Sequence, residues 1–448
     1  MKRLFIITLF IAVHFVAGLG ASYAQNSEQK SVLFQNVNIF DGKNERLTEG
    51  MNVLVENNKI DKIAKSIPAP SNTTVIDAGG RTLMPGLIDA HWHAMYSMIP
   101  INILLNSDIG YINLVAAKGA EETLMRGVTT VRDIGGPSFA VKKAIDQGLY
   151  NGPRIYSSGA PISQTSGHFD FRGPNDVPAN ASDPLDYLQR VGFVMVADGV
   201  PEVLKRVREQ LRMGATQIKL AAGGGVSSDY DPYDVAEFTF EEIKAAVDAA
   251  KDWNTYVAVH VFTDKGAQKA IRAGVMSIEH GNLMTAETFK MMAEKGVWFS
   301  MQPILNDEDA IPFPEGSPNQ AKFVEVTNGT ITGIELAKKY GLKTAFGTDV
   351  LFDPALAKKQ GKMLAKLKRW YTPYETLKMA TSTNAELIKM CGPRDPYPGK
   401  IGVVEEGALA DMILVDGNPL ENLDLVADPE NNFLVIMKDG VIYKNKLR

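Results

Sequence analysis

A short apolar strand that ends in two histidines carries the fold prediction, and its sequence is Met84-Pro85-Gly86-Leu87-Ile88-Asp89-Ala90-His91-Trp92-His93. Side chains alternate along a strand, so the imidazoles of His91 and His93 point to the same face and the indole of Trp92 points to the other. Taken alone, this pair is equally compatible with two ordinary strand residues. The prediction therefore depends on the pattern of the rest of the chain.

Short apolar strands alternate with longer amphipathic stretches between residues 85 and 390. The strand-like segments include residues 127–132, 217–220, 256–260, 276–280 and 344–347. A glycine-rich nucleotide turn of the right spacing is missing from this region, which disfavours an open nucleotide-binding sheet. The alternation predicts an α/β fold and, within that class, a (β/α)8 TIM barrel with its active site at the carboxyl ends of the strands.

The two ends of the chain have a different pattern. Residues 31–75 alternate apolar and polar side chains, with breaks at Gly42 and at Asn57-Asn58, and residues 407–443 repeat this alternation. Such alternation is typical of antiparallel strands joined by tight turns. We therefore expect residues 25–84 and 391–448 to form the two halves of one small β-sandwich domain.

The amino terminus reads as a targeting segment. Met1-Lys2-Arg3 precedes an apolar run, and Ser22-Tyr23-Ala24 supplies a small-residue cleavage site, so residues 1–24 are predicted to be a secretory signal peptide. The alternative is a membrane anchor, but the apolar run is shorter than the roughly 20 residues that a spanning helix needs. We expect export to the periplasm or the medium, with no stable membrane insertion after the leader is cleaved.

Composition excludes further classes. The 448 residues are 45% hydrophobic and 22% charged, which suits a large globular core, and the single cysteine, Cys391, excludes an intramolecular disulfide. The formal net charge of -5 and the lack of a basic stripe argue against a nucleic-acid partner. The expected partner is a small molecule, and a homo-oligomer is left open.

Chemistry-bearing residues recur at the predicted strand ends. Outside the leader the histidines are His91, His93, His168, His260 and His280, and all but His168 end a predicted strand. Lys219 lies in an apolar strand, where a bare ammonium is costly to bury unless it snorkels to the rim. Asp349 follows the last predicted strand, where a helix cap is the alternative. Together these side chains offer the nitrogen and oxygen donors that suit zinc and similar metals.

Six dispersed motifs resemble the amidohydrolase superfamily over nearly the whole chain after the leader. They are residues 84–93, 127–136, 218–219 with 258–260, 277–281, 347–349 and 407–411. The chain is most similar to the imidazolonepropionase-like branch, which includes metal-dependent prolidase-like and carboxypeptidase-like enzymes and ochratoxin-type amidases.

The resemblance implies two divalent metal ions, with zinc as the expected metal. It implies that His91, His93 and Asp349 hold one ion, that His260 and His280 hold the other, and that Lys219, carbamylated by carbon dioxide, bridges both. A lysine buried in an apolar strand supports this chemistry, because burial favours the neutral, nucleophilic amine.

Two residues on loops are further catalytic candidates. By resemblance, Tyr230 would help to hold the substrate carbonyl oxygen, although a surface tyrosine is an equal alternative. His168 lies in Thr165-Ser166-Gly167-His168-Phe169, where relatives more often read Gly-Gly-His-Gly and touch substrate. The departure at Ser166 and Phe169 puts the pocket shape in doubt. Arg132 is interpreted as a structural ion-pair partner near a strand.

These observations favour a hydrolase that cleaves a carbon–nitrogen amide bond. The expected reaction releases the C-terminal amino acid of a dipeptide or an N-acyl amino acid, by attack of a hydroxide that bridges the two metals, with Asp349 moving the proton to the departing amine. The first alternative is ring opening of a cyclic amide or lactone at the same site. The second is an exported binding protein without turnover, which the complete set of ligands disfavours.

Overall fold

The computed structural model describes residues 31–173, 175–176 and 184–447. The predicted signal peptide, residues 1–24, lies outside these ranges. Within them, none of the helices has both the length and the apolar character that crossing a bilayer requires.

Strands from both ends of the chain form one eight-stranded sheet, in the order β18-β17-β16-β5-β1-β2-β3, with β4 also paired to β1. These strands are β1 (Ser31–Ile39), β2 (Thr48–Glu56), β3 (Lys59–Ala64), β4 (Thr73–Asp77), β5 (Thr82–Pro85), β16 (Met412–Val415), β17 (Phe433–Lys438) and β18 (Val441–Asn445). The two ends meet where β5 pairs antiparallel with β16. The expected pairing of the chain ends is therefore observed. Hydrogen bonding in the described ranges does not separate the strands into the two sheets of a sandwich.

The middle of the chain contributes two parallel sheets, ordered β6-β7-β8 and β10-β9-β11-β12-β13-β14-β15. Their strands are β6 (Leu87–Trp92), β7 (Val128–Asp133), β8 (Arg154–Ser157), β9 (Ile162–Ser163), β10 (Met195–Val196), β11 (Ile218–Ala221), β12 (Val257–Thr263), β13 (Ser277–Leu283), β14 (Trp298–Met301) and β15 (Thr344–Phe346). Gly86 alone separates β5 of the terminal sheet from β6 of the central strands.

Helices follow most of the central strands. They are α1 (Ile101–Asn106), α2 (Ile109–Met125), α3 (Phe139–Asp146), α4 (Tyr187–Arg190), α5 (Val200–Met213), α6 (Phe240–Asp252), α7 (Asp264–Ala273), α8 (Ala286–Lys295), α9 (Pro318–Asn328), α10 (Thr330–Lys339), α11 (Pro354–Ala357), α12 (Gln360–Lys366), α13 (Pro373–Lys378), α14 (Asn384–Lys389) and α15 (Pro429–Asn432). A π-helical turn, Met379–Thr383, joins α13 to α14. The predicted alternation of strand and helix, and with it the α/β class, is confirmed.

The hydrogen-bonded ladders do not close into a barrel within the described ranges. At the two places where the central sheets adjoin, a side-chain amide donates a hydrogen bond to a strand carbonyl. Between β15 and β6, Asn384 Nδ2 donates to the carbonyls of Phe346 at 2.8 Å and Ile88 at 2.7 Å. Between β8 and β11, Gln217 Nε2 donates to the Tyr156 carbonyl at 2.9 Å. These bonds link β15 to β6 and the start of β11 to β8 without a continuous ladder.

The apolar core lies between the central strands and their helices. Strands of a parallel sheet are covered on both faces, and accordingly β6, β7, β8 and β11 are buried along their whole length. The terminal sheet is joined to this core by Arg154 of β8, whose guanidinium pairs with Asp411 at 3.1 Å and with Asp439 at 2.8 Å.

Candidate metal centre

Ionisable side chains gather at one edge of the central sheets. His91 lies near the end of β6, Lys219 on β11, His260 on β12 and His280 on β13, and Asp349 follows β15. These strands are parallel to their neighbours, so their carboxyl ends share this edge. The structure therefore brings together, around one pocket, the six predicted ligands: His91, His93, Lys219, His260, His280 and Asp349.

Three of these residues form the tightest group of donors. Donor atoms of His91, His280 and Asp349 all lie within 4.8 Å of one another, an arrangement that could hold a metal ion. His93 joins them, since its Nε2 is 3.1 Å from Asp349 Oδ1, and His91 Nε2 is 3.2 Å from the same oxygen. Imidazole nitrogens that converge on a carboxylate oxygen are a donor set for zinc and its neighbours.

The protonation states also fit metal binding, which requires neutral imidazoles and an ionised carboxylate. Burial lowers the pKa of His280 to about 3, and it lowers the pKa of His93 and of His260 as well. Burial acts to raise the pKa of Asp349, but His91 and His93 overcome this effect and hold that pKa well below its usual range. The imidazoles of His93, His260 and His280 are therefore held neutral and the carboxylate of Asp349 ionised.

Lys219 is enclosed rather than snorkelling. It is 1% exposed, and its neighbours on β11, Ile218 and Leu220, are fully buried. Burial lowers the pKa of its amine to about 8, against opposing effects of Glu279 and Asp349. A buried lysine that gives up its proton this readily offers a nucleophilic amine.

His260 and His168 form the other side of the site. The ring of His260 is 4.5 Å from that of His280, and its Nε2 donates to the Gly224 carbonyl at 3.1 Å. The ring of His168 stacks on His260 at 3.9 Å. A Cβ at Gly225 would collide with the imidazole of His168, so glycine is required at that position for this close approach.

His168 is held by polar partners on its far side. Its Nδ1 is 2.8 Å from Ser228 Oγ and 3.4 Å from Asp231 Oδ2, and its backbone amide donates to Glu237 Oε1 at 2.8 Å. The imidazole lines the pocket, where the sequence predicted a substrate contact. Tyr230, the other catalytic candidate, is 50% exposed and is not among the described residues that line the pocket.

Sequence reasoning missed the layer that supports the ligands. Glu279 Oε2 lies 2.8 Å from His91 Nδ1, and Gln302 Oε1 lies 2.7 Å from His280 Nδ1. An acceptor at Nδ1 fixes the tautomer, so that Nε2 carries the lone pair that binds a metal. Glu279 could have been noticed in the sequence because it is a charged residue within an apolar strand, β13. The sequence around Gln302 has no comparable feature.

Arg132 completes this layer from β7. Its Nη2 donates to both oxygens of Glu279, at 2.9 and 2.8 Å, and both side chains are fully buried. The predicted role of Arg132 as a structural ion-pair partner agrees with this geometry. The pair leaves Glu279 ionised, because Arg132 and His91 outweigh burial and hold its pKa well below the usual range.

The backbone is strained where it presents two of the ligands. His280 has φ of 76° and Asp349 has φ of 51°, a region that residues other than glycine rarely adopt. Asp349 is fixed there by its amide, which donates to the His91 carbonyl at 2.8 Å. Asp89 adds a second link, because its Oδ1 accepts the amides of both His91 and Thr348 at 3.1 Å. Such strained backbone conformations persist where the surrounding contacts hold them in place, and they are common at functional sites.

Comparison with solved structures identifies the class. The chain superposes on a solved amidohydrolase with a TM-score of 0.85 and 36% identity, covering 94% of this chain and all of that one. It superposes on a prolidase solved in complex with N-methylphosphonate-L-proline with a TM-score of 0.84 and 32% identity, covering 93% of this chain and all of that one. The chain is therefore a hydrolase that acts on carbon–nitrogen bonds.

Sequence comparison then supplies the family. The model of the amidohydrolase family matches residues 82–444. Ochratoxinase of Aspergillus niger is 33% identical over 376 residues, which cover 81% of this chain and 75% of that protein. The chain belongs to the amidohydrolase family, as the motifs had predicted.

Proposed function

We propose that this chain is an exported, binuclear metal-dependent amidase that releases the C-terminal amino acid of a dipeptide or an N-acyl amino acid. The observation that carries the proposal is the convergence of four imidazoles, one carboxylate and one buried amine on a single pocket. In this proposal His91, His93 and Asp349 would hold one zinc ion, His260 and His280 would hold the other, and Lys219, as a carbamate, would be a ligand of both.

The cations, when bound, supply Lewis acidity that activates water and polarises the substrate carbonyl. The chain's own residues then handle protons and orientation. Asp349, ionised in the folded protein, accepts a proton at a carboxylate oxygen and passes it to the departing amine nitrogen. Glu279 and Gln302 keep His91 and His280 in the ligating tautomer through the Nδ1 contacts.

The carbamate is supported by the environment of Lys219. Its side chain is 1% exposed and its amine has a pKa of about 8, so a fraction of the neutral amine is available to react with carbon dioxide near neutral pH. The carbamate would replace a buried positive charge with a negative one beside the metals. A cation that is costly to bury thereby becomes a ligand.

The substrate class is supported by two relatives. One is an ochratoxinase, and the other is a prolidase that was solved in complex with N-methylphosphonate-L-proline. We also propose that the two central sheets are arcs of one (β/α)8 barrel, because Asn384 bonds to carbonyls of both β15 and β6, and Gln217, at the start of β11, bonds to a carbonyl of β8. Export is proposed from the leader in the sequence, and N-terminal sequencing of the protein from culture fractions would test it.

The decisive experiment measures amino acid release by mass spectrometry from a panel of dipeptides, N-acyl amino acids and cyclic amides. The zinc-loaded protein is assayed in bicarbonate, with Lys219→Ala as the blank and zinc content measured in both. We expect release from linear amides by the wild type, two zinc ions per chain, and loss of both properties in the variant. Turnover of cyclic substrates alone would favour ring opening, and two bound metals without any turnover would favour the binding-protein alternative.

A further inference from the structure

His168, whose imidazole lines the pocket, is held through both its ring and its backbone. The ring stacks on that of His260 at 3.9 Å and lies 4.6 Å from that of Phe169. The backbone amide donates to Glu237, which also accepts the hydroxyl of Ser163 at 2.9 Å. The ring therefore has little freedom to turn, and the partners of its two nitrogens decide what it offers to the pocket.

The two ring nitrogens of His168 have different surroundings. Nδ1 lies 2.8 Å from Ser228 Oγ and 3.4 Å from Asp231 Oδ2, whereas none of the described residues forms a hydrogen bond with Nε2. A hydroxyl can either accept or donate a hydrogen bond, but an ionised carboxylate can only accept one. The charge state of Asp231 therefore decides which nitrogen of His168 carries the proton.

Asp231 is a buried carboxylate with few partners. Its side chain is 1% exposed, Oδ2 accepts the Gly225 amide at 2.6 Å, and Oδ1 has no hydrogen-bond partner among the described residues. Within the same residues, His168 is the only basic side chain at ion-pairing distance from it. Burial acts to raise the pKa of Asp231, but His168 and Ser228 overcome this effect and hold that pKa below its usual value. Asp231 is therefore an ionised acceptor that faces Nδ1.

A lysine holds the loop that carries this carboxylate. Lys322 on α9 donates to the backbone carbonyls of Ser228 and Asp231, each at 2.8 Å, and to that of Gly225 at 3.3 Å. All three carbonyls belong to one loop, residues 225–231, which follows β11. Because one ammonium group binds this loop at both ends and near its middle, the carboxylate of Asp231 is kept in place beside the imidazole.

We infer that Asp231 is a positioning residue, which keeps the proton of His168 on Nδ1 and thereby leaves the lone pair of Nε2 available to the pocket. A buried carboxylate at one ring nitrogen fixes the tautomer and the orientation of an imidazole in this way. His168 then accepts a hydrogen bond from an N–H or O–H group of a bound substrate and does not donate one. The inference rests on the amide hydrolysis proposed above and assigns a further residue to its site.

The first test asks which nitrogen carries the proton. Zinc-loaded, full-length protein is labelled with ¹⁵N-histidine, and the NMR signals that are lost in His168→Ala are assigned to His168. We expect the wild type to have the proton on Nδ1 and none on Nε2. In Asp231→Asn the proton should move to Nε2, because the amide of asparagine can donate to Nδ1. Ser228→Ala, which keeps the carboxylate, should retain the wild-type tautomer.

Two results would overturn the inference. One is a proton on Nε2 of the wild-type protein, and the other is an unchanged tautomer in Asp231→Asn. The wild-type spectrum decides even if Asp231→Asn does not fold, because it requires no change to the carboxylate.

The second test separates positioning from a general structural role. The value of kcat/KM is measured for the linear amide that the wild type hydrolyses fastest, in Asp231→Asn, in His168→Ala and in the double variant. Asp231→Asn should lower kcat/KM roughly 10- to 100-fold when His168 is present and less than about 2-fold when it is absent. Asp234→Asn, at an exposed position close by in the chain, is the matched control and should keep the wild-type value.

Equal losses with and without His168 would overturn the inference, because Asp231 would then act on the protein by another route. If none of the amides is hydrolysed, the proposed function has failed, and the tautomer of His168 alone decides the role of Asp231.

Discussion

Nδ1 of His91 and Oε2 of Glu279 lie 2.8 Å apart, and neither side chain has more than 1% of its surface exposed. This contact orients a predicted ligand from behind, while Arg132 holds the carboxylate from the other side. The metal centre is therefore supported by an ion pair that solvent does not screen.

Replacing this carboxylate with an amide should weaken metal binding. Glu279→Gln keeps the shape but leaves Arg132 with a buried, uncompensated charge, which costs roughly 3 kcal/mol of stability. A glutamine amide has a single accepting oxygen for both Arg132 and His91 Nδ1, so the support of His91 weakens and zinc affinity should fall roughly 10- to 100-fold. Zinc competition with a chelator measures the affinity and thermal unfolding the stability. Glu294→Gln, on an exposed helix face, is the control, and equal zinc affinity in both variants would contradict the role of Glu279.

The carbamate predicts a dependence on carbon dioxide. Zinc-free protein reconstituted with zinc in degassed buffer should regain little activity, and added bicarbonate should restore it, because the proposed function requires Lys219 to react with carbon dioxide before it can act as a ligand. Lys219→Arg should stay inactive under both conditions, since a guanidinium is always protonated. Full recovery of the wild type without bicarbonate would mean that no carbamate is needed.

Gly347 should tolerate no side chain. A Cβ there would lie 2.5 Å from the backbone nitrogen of His91, so Gly347→Ala must push β15 away from β6 at a cost of about 1–3 kcal/mol or more. Gly333→Ala is the control, because its Cβ would meet nothing closer than 3.6 Å within α10. We expect a lower melting temperature and less bound zinc for the first variant, and an unchanged or higher melting temperature for the second. Equal melting temperatures would refute the close approach.

Glu237 should make the protein less stable at alkaline pH. Its carboxyl is fully buried, and burial raises its pKa to about 8 from the usual 4.5. Between these values the folded state binds the proton more tightly than the unfolded state, so its contribution to stability is complete below pH 4.5 and is lost as the pH rises towards 8. Glu237→Gln should therefore flatten the fall in melting temperature between pH 6 and pH 9. The exposed Glu241→Gln should follow the wild type, and parallel curves for all three proteins would contradict this account.

Much of the site could be predicted from local patterns. Apolar strands ending in His91, His260 and His280 were recognisable because a buried strand has a short, uniform signature, and parallel strands bring their carboxyl ends to one edge. The supporting layer could not be predicted in the same way. The partnership of Glu279 with Arg132 joins residues 147 positions apart, and nothing near either one in the sequence specifies the other.

The sequence by itself predicted the strand and helix alternation and the pairing of both chain ends, because these depend on residue type and spacing. It also predicted a set of six metal ligands, which rests on the family resemblance as well as on the residue types. Only the tertiary structure showed that Lys219 is enclosed and that Tyr230 is not among the described residues that line the pocket. It also showed that residues 302–317 contribute side chains to the wall of the pocket. The structure also showed that the side-chain amides of Asn384 and Gln217 donate hydrogen bonds to strand carbonyls where the two central sheets adjoin. The physical reason is that burial and packing are properties of contacts between distant segments, which local periodicity does not encode.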